Sequence, residues 1–130
     1  MKTFKVLIIF IILAVISCKK EDLKINPNNL ILGTWYYNSY DSIFSVYVRS
    51  SEIPVDRTGY ICREDGTLTV RDLSGWCATP PVSYSNYEGT WKILNDTLIS
   101  VERTYWGGAM SYKLGIIEVN RDILKLVNVY

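Results

Sequence analysis

The sequence contains no histidine, and this absence removes several classes of active site. Ser-His and Cys-His nucleophilic pairs need an imidazole base, and zinc and copper sites usually include histidine ligands. The remaining route to acid–base chemistry is a pair of carboxylates, which needs a geometry that a sequence does not show. We therefore expect no enzymatic activity, no metal and no cofactor.

The chain also has little net charge. It has 14 lysines and arginines against 13 aspartates and glutamates, which gives a formal net charge of +1. Proteins that bind nucleic acid carry a clear excess of basic side chains, which neutralise phosphates. We therefore expect no nucleic-acid partner.

Long apolar runs are missing as well. The run Val6–Ile16 has only 11 residues, whereas a transmembrane helix needs about 17–25. With the basic Met1–Lys5 before it and the small Ser17 after it, the run is typical of a secretory signal peptide. A plain signal peptide followed by an incidental cysteine and a short membrane anchor are the alternatives.

The end of this run resembles the lipobox of bacterial lipoproteins. The segment Val15–Cys18 reads Val-Ile-Ser-Cys, with valine where leucine is commoner. The resemblance implies that residues 1–17 are a signal peptide and that Cys18 carries a diacylglyceryl group and fatty acyl chains such as palmitate. The partner would then be the outer membrane, reached through this lipid. Lys19–Asp22 resembles a signal that directs some lipoproteins to the cell surface, and the periplasmic face is the alternative.

Beyond a polar tether at residues 18–29, the sequence predicts an all-β domain over residues 30–130. Short runs of β-branched and aromatic residues alternate with turn residues, without a helical period of apolar positions. Short connections favour an antiparallel up-and-down β-barrel, because closure removes exposed strand edges. The eight predicted strands are Leu32–Asn38, Ile43–Arg49, Thr58–Arg63, Thr67–Asp72, Tyr84–Leu94, Thr97–Tyr105, Met110–Val119 and Ile123–Tyr130.

Several short motifs, taken in order, resemble the small lipocalin-like domains of bacterial lipoproteins. They are Leu-Gly-Thr-Trp at 32–35, the hairpin Cys62–Leu68, Gly-Thr-Trp-Lys-Ile at 89–93, Asn-Asp-Thr-Leu at 95–98, and Asp122-x-Leu124-x-Leu126. The resemblance implies a lipocalin-like barrel whose floor is closed by the Gly-x-Trp of the first strand. It also implies binding of a small hydrophobic or amphipathic ligand. Cys62 stands where the family usually has a large apolar residue.

Alternation along the strands predicts which side chains face the barrel interior. The side chains that we expect to line or close a ligand cavity are Trp35, Tyr37, Tyr60, Leu68, Trp91, Tyr112, Leu114, Leu124 and Leu126. Such cavities combine apolar walls with a few polar groups. Since tryptophan is commonly buried, the alternative is that Trp35 and Trp91 simply fill the core.

Two further tryptophans lie in glycine-containing loops. Trp76 follows Ser74-Gly75, and Trp106 precedes Gly107-Gly108. We predict that both rings form a contact surface at one mouth of the barrel, and local packing within each loop is the alternative. The second hypothesis for function is therefore a protein- or glycan-binding module with a filled barrel and recognition by loops.

Cys62 and Cys77 remain once Cys18 carries lipid. In an exported chain an even number of cysteines predicts a disulfide. The loop that it would close has about 15 residues, which corresponds to about 3 kcal/mol in the loop-entropy account. A catalytic or metal-binding thiol pair is the alternative, but the chain has neither histidine nor a Cys-x-x-Cys spacing.

The acidic residues divide into loop charges and strand charges. Glu52, Asp56 and Asp72 are predicted to be solvated in loops. Glu88, Glu102 and Glu118 lie within predicted strands. If one of these three faced inward, it would need a basic partner such as Arg103 or Lys92, and its pKa would be perturbed.

Overall fold

The computed structural model describes residues 29–77 and 79–130, and within them it contains eight strands and no helix. The strands are β1 Gly33–Asp41, β2 Phe44–Ser50, β3 Gly59–Cys62, β4 Thr67–Leu73, β5 Tyr84–Asn95, β6 Leu98–Tyr105, β7 Gly108–Val119 and β8 Ile123–Val129. The all-β prediction and each of the eight predicted strands are confirmed. The predicted signal peptide, Cys18 and the tether up to residue 28 lie outside the described residues.

The eight strands close into a barrel, as predicted. The order around the barrel is β1-β2-β8-β7-β6-β5-β4-β3, and every neighbouring pair is antiparallel. The first hairpin is placed so that β1, rather than β2, contacts β3, while β2 closes the barrel against β8. The connection between β2 and β3, residues 51–58, therefore has to pass β1. Gly59 at the start of β3 lets this strand approach β1 closely, because a Cβ there would clash with the Trp35 carbonyl oxygen.

The turn residues form the hairpins for local reasons. Gly66 ends the first predicted turn with a φ of +84°, and the Asp65 carboxylate accepts a hydrogen bond from the Thr67 amide at 2.9 Å. Asn95 accepts from the Thr97 amide in the same way, also at 2.9 Å. In the third turn Asn120 accepts from the amide of Asp122 at 2.8 Å. These side chains replace backbone partners that a tight turn leaves unpaired.

Alternation of strand direction gives the barrel two different ends. The connections 63–66, 96–97 and 120–122 lie at one end, together with residues 29–32 where the described chain begins. We call this the closed end. The turns 42–43 and 106–107, the β4–β5 connection and the C-terminal Tyr130 lie at the other, which we call the open end.

The hydrophobic core occupies the interior towards the closed end. Its buried members are Ile31, Trp35, Cys62, Leu68, Val70, Ile99, Val101, Leu114, Leu124 and Leu126. The core residues that belong to strands occupy alternate positions, and most outward residues between them are more exposed, although Thr69 of β4 is buried as well. Towards the open end the inward residues become larger and more polar, and the candidate site lies there.

Candidate functional site

Trp35 and Arg49 close the barrel at its closed end. The Trp35 side chain is fully buried, and its indole nitrogen donates to the Ile31 carbonyl at 2.8 Å. The Arg49 guanidinium lies 4.0 Å from the centre of the Trp35 ring. Gly33 has a φ of +119°, and a Cβ there would meet Arg49 Nη1 at 2.7 Å. The Gly-x-Trp segment therefore forms the floor, in agreement with the expectation from the sequence motif.

The interior just above this floor is filled by side chains. The space left between Ile31, Leu68, Trp91, Leu124 and their neighbours is about 10 Å³, and a single water needs about 10–15 Å³. Trp91 also donates from its indole nitrogen to the Arg63 carbonyl at 3.0 Å, which ties it to the β3–β4 hairpin. Four of the residues predicted to surround a ligand, Trp35, Leu68, Trp91 and Leu124, are thus placed in or against a packed core.

A cleft of about 550 Å³ opens at the other end of the barrel. Four of the predicted lining residues meet there, namely Tyr60, Tyr112, Leu114 and Leu126. Arg103 also lines the cleft, although the sequence suggested it only as a partner for an inward glutamate. The lining residues that were not predicted are Tyr40, Ile43, Ser45, Tyr47, Met110, Lys113 and the C-terminal residues 127–130. The volume falls within the range of small-molecule sites, about 300–1,000 Å³.

Tyrosines form the base of the cleft. The hydroxyls of Tyr60 and Tyr112 lie 3.4 Å apart, and the ring centres of Tyr47 and Tyr60 are separated by 5.3 Å. Tyr37, the ninth predicted lining residue, packs edge-on against Tyr47 at 5.9 Å between ring centres. Burial raises the pKa of Tyr47 to about 12 and raises the pKa of Tyr60 and Tyr112 as well. The hydroxyls therefore stay protonated near neutral pH and can donate hydrogen bonds.

Arg103 provides the positive charge at the base. Its Nη2 lies 2.5 Å from the Asp72 carboxylate, and only 9% of its side chain is exposed. The prediction that Asp72 is a solvated loop charge is wrong, because Asp72 lies within β4 and pairs with this buried cation. Alternation was the missed signal: Arg103 continues the inward series Ile99 and Val101 on β6.

The two loop tryptophans lie at the open end, as predicted, but neither lines the cleft. Trp76 is 83% exposed on the β4–β5 connection. Trp106 is about half exposed, and it packs edge-on against Tyr105 with 5.5 Å between ring centres, so its loop has some internal packing. Other large apolar side chains are exposed at the same end, namely Tyr40, Ile43, Met110, Val129 and Tyr130.

The predicted disulfide between Cys62 and Cys77 is wrong for this structure, in which both thiols are free. Cys62 pairs with Gly33 and Leu68 at the closed end, and its side chain belongs to the core. Cys77 is exposed in the connection that leaves β4 at the open end. Five residues of β4 separate the level of Leu68 from Leu73, about 16 Å, whereas the Cα atoms of a disulfide lie within about 7 Å.

The strand glutamates face outward. Glu88, Glu102 and Glu118 are all exposed, and Glu118 forms an ion pair with Lys125 at 3.1 Å on the outer surface. In the described part of the chain no three metal-ligating side chains come together. The described residues also contain no helix of the length and apolarity that crossing a membrane requires.

Comparison with known proteins adds no assignment: no family model, curated protein or solved structure matches this chain.

Proposed function

We propose that the protein is a lipid-anchored barrel of lipocalin-like type that binds an amphipathic small molecule without chemical conversion. The observation that carries this proposal is the cleft of about 550 Å³ at the open end, which joins a base of hydroxyls and one guanidinium to apolar side chains at its rim. An amphipathic molecule matches this division, with its polar group at the base and its apolar part against Ile43 and Met110.

The position of the chain entry supports the anchoring part of the proposal. Residue 29 lies at the closed end, so a tether that leads from a lipidated Cys18 reaches the floor of the barrel. The cleft then opens on the side away from the tether, where a ligand can enter freely. The short apolar run before Cys18 is the sequence feature on which the lipid anchor rests.

Blocking the cleft tests the ligand-binding proposal. Residues 29–130 contain all eight strands and the whole described core, so this segment can be produced without the lipid. Calorimetric titration with ten-carbon amphiphiles should show saturable binding, and Ser45→Trp should abolish it by filling the cleft. Ser111→Trp, which places the same ring on the outer face of β7, should leave it unchanged. Absence of binding in the unsubstituted, folded barrel would refute the proposal.

Lipid attachment needs a separate experiment on the full chain. Labelling of producing cells with radioactive palmitate should mark the protein and retain it in the membrane fraction. Cys18→Ser should abolish both, whereas Cys77→Ser should abolish neither. A soluble, unlabelled wild-type chain would refute the anchoring proposal while leaving the ligand-binding proposal intact.

Binding of a protein or glycan through the loops is the second candidate. The specific observation in its favour is Trp76, whose ring is 83% exposed at the same end of the barrel as several other exposed apolar side chains. Large exposed aromatic rings are common in contact surfaces. A Trp76→Ser/Trp106→Ser variant that keeps amphiphile binding but loses retention on a glycan array would support this candidate, and unchanged retention or its absence in the wild type would contradict it.

A further inference from the structure

The base of the cleft contains a buried cation whose hydrogen bonds are incomplete. Arg103 donates to Asp72 from Nη2, but its Nε and Nη1 are buried and have no hydrogen-bond partner among the described residues. A buried N–H without a partner costs about 1–3 kcal/mol, and more when the group is charged. A ligand atom that accepts these hydrogen bonds would remove that cost.

The groups around Arg103 favour a negatively charged ligand over a positively charged one. Among the side chains that face into the cleft, Arg103 is the one cation, and the lining contains no carboxylate side chain. Tyr60 and Tyr112 add hydroxyl donors beside the guanidinium, which lies 6.0 Å from the centre of the Tyr112 ring. An anion accepts hydrogen bonds from all of these groups, whereas a cation would be repelled.

The net charge of the site favours a head group with a single negative charge over a dianion. Asp72 offsets the positive charge of Arg103, so the pair carries no net charge. A singly charged head group therefore brings one negative charge into a partly buried site and a dianion brings two, so the desolvation cost is lower for the monoanion. Carboxylates are singly charged at neutral pH.

We infer that the ligand of the cleft is an amphipathic carboxylate whose carboxyl group accepts hydrogen bonds from Arg103 and from the tyrosine hydroxyls. The inference rests on the proposed function and makes it narrower, since it assigns the head group of the ligand. The apolar part lies against Met110, Leu114 and Leu126, which line the same cleft. Asp72 holds the guanidinium in place and competes with the ligand for it.

Three ten-carbon probes separate the head-group chemistries in calorimetric titrations of residues 29–130. We expect decanoate to bind about 10- to 100-fold more tightly than 1-decanol, the advantage of hydrogen bonds to a charged group. Decyl phosphate should bind more weakly than decanoate. Equal affinity for decanoate and 1-decanol would overturn the carboxylate inference and leave the proposed function standing, whereas no binding of any probe would refute both. Tighter binding of decyl phosphate would overturn the assignment of a carboxylate.

Removing the cation and removing the anion of the Arg103–Asp72 pair should change the affinity for decanoate in opposite directions. Arg103→Gln should reduce the preference for decanoate over 1-decanol to less than about 3-fold, and Arg103→Gln combined with Asp72→Asn should do the same without leaving a lone carboxylate in the barrel. Asp72→Asn alone should tighten decanoate binding about 3- to 10-fold, because it removes a competing anion. Arg63→Gln, on the outer surface, serves as the control and should change nothing. If Asp72→Asn weakens decanoate and 1-decanol binding equally, the pair has only a structural role and the inference is wrong.

Discussion

Arg49 joins three segments of the closed end, and we predict that Arg49→Met will lower the free energy of unfolding by about 2–4 kcal/mol. Its Nη1 donates to the Leu32 carbonyl at 2.6 Å, and its Nη2 donates to the Leu30 carbonyl. Its Nε donates to the Arg121 carbonyl at 2.6 Å in the β7–β8 turn. The guanidinium also covers the Trp35 ring. Methionine keeps much of the apolar stem but removes every one of these donors.

The magnitude follows from how exposed each contact is. Two of the hydrogen bonds are partly buried, and each contributes about 1–1.5 kcal/mol. The hydrogen bond to Arg121 is exposed and the stacking on Trp35 is partly solvated, so that each adds about 0.5–1 kcal/mol. Water replaces some of the lost partners, which lowers the total to about 2–4 kcal/mol. For a domain of this size the midpoint of thermal unfolding should fall by about 10–25 °C.

Chemical and thermal unfolding, followed by circular dichroism, measure this change. Arg57→Met is the matched control, because Arg57 is an exposed arginine on the β2–β3 connection. We expect the control to change the free energy of unfolding by less than about 0.5 kcal/mol. If Arg49→Met costs no more than the control, then the guanidinium does not hold the closed end together and the reasoning is refuted.

Three further predictions concern the core, the crossing of the chain and the tyrosines. An aromatic disulfide reagent should label Cys77 in the folded barrel and Cys62 only on unfolding, because burial raises the pKa of Cys62 to about 12. If neither cysteine reacts until a reductant is added, the two are joined and the free-thiol state is contradicted. Gly59→Ala should cost about 1–3 kcal/mol through contact with the neighbouring strand, measured by urea unfolding, whereas Gly75→Ala, whose Cβ would meet nothing within 4 Å, should be nearly neutral. The fold stabilises the neutral form of Tyr47, whose pKa is about 12 rather than 10, so this contribution is complete below pH 10 and lost as the pH rises to 12. Tyr47→Phe should therefore reduce the loss of stability between pH 10 and 12 by up to about 2–3 kcal/mol, and an unchanged slope would contradict this.

Much of the fold could be predicted because its signals are local. A strand needs alternate apolar positions, and a hairpin needs a residue such as Gly66 that accepts a positive φ. The predicted strand ends nevertheless differ from the structure by a few residues. β1 continues to Asp41, three residues beyond the prediction, because a register shift between Tyr37 and Ser39 lets the strand bend and continue pairing.

The disulfide prediction was wrong because it did not take into account where the two cysteines lie in the barrel. An even number of cysteines indicates a pair only if the two thiols can meet, and that depends on position in the barrel. Cys62 follows the inward Tyr60 at alternate spacing, which already indicated a core residue. Alternation is more direct physical evidence for the position of Cys62 than the number of cysteines in the chain.

The candidate site was harder to predict than the fold. Its key pair, Arg103 and Asp72, is separated by 31 positions, and the contact between Tyr60 and Tyr112 spans 52. Which inward residues meet depends on the stagger of each strand against the next. Alternation can say that a side chain faces inward, but it cannot say at which height in the barrel the side chain lies.

By itself, the sequence determined the all-β class and the strands and turns, because each depends on residues that are close along the chain, whereas the Gly-x-Trp floor was implied only by the family resemblance. Only the tertiary structure decided that β1 lies between β2 and β3, that the closed end is filled and that the cleft lies at the open end. These features depend on register and closure, in which every strand is constrained by neighbours that are distant in sequence. The chemistry of the cleft, a buried cation among tyrosine hydroxyls, therefore appears only when the barrel closes.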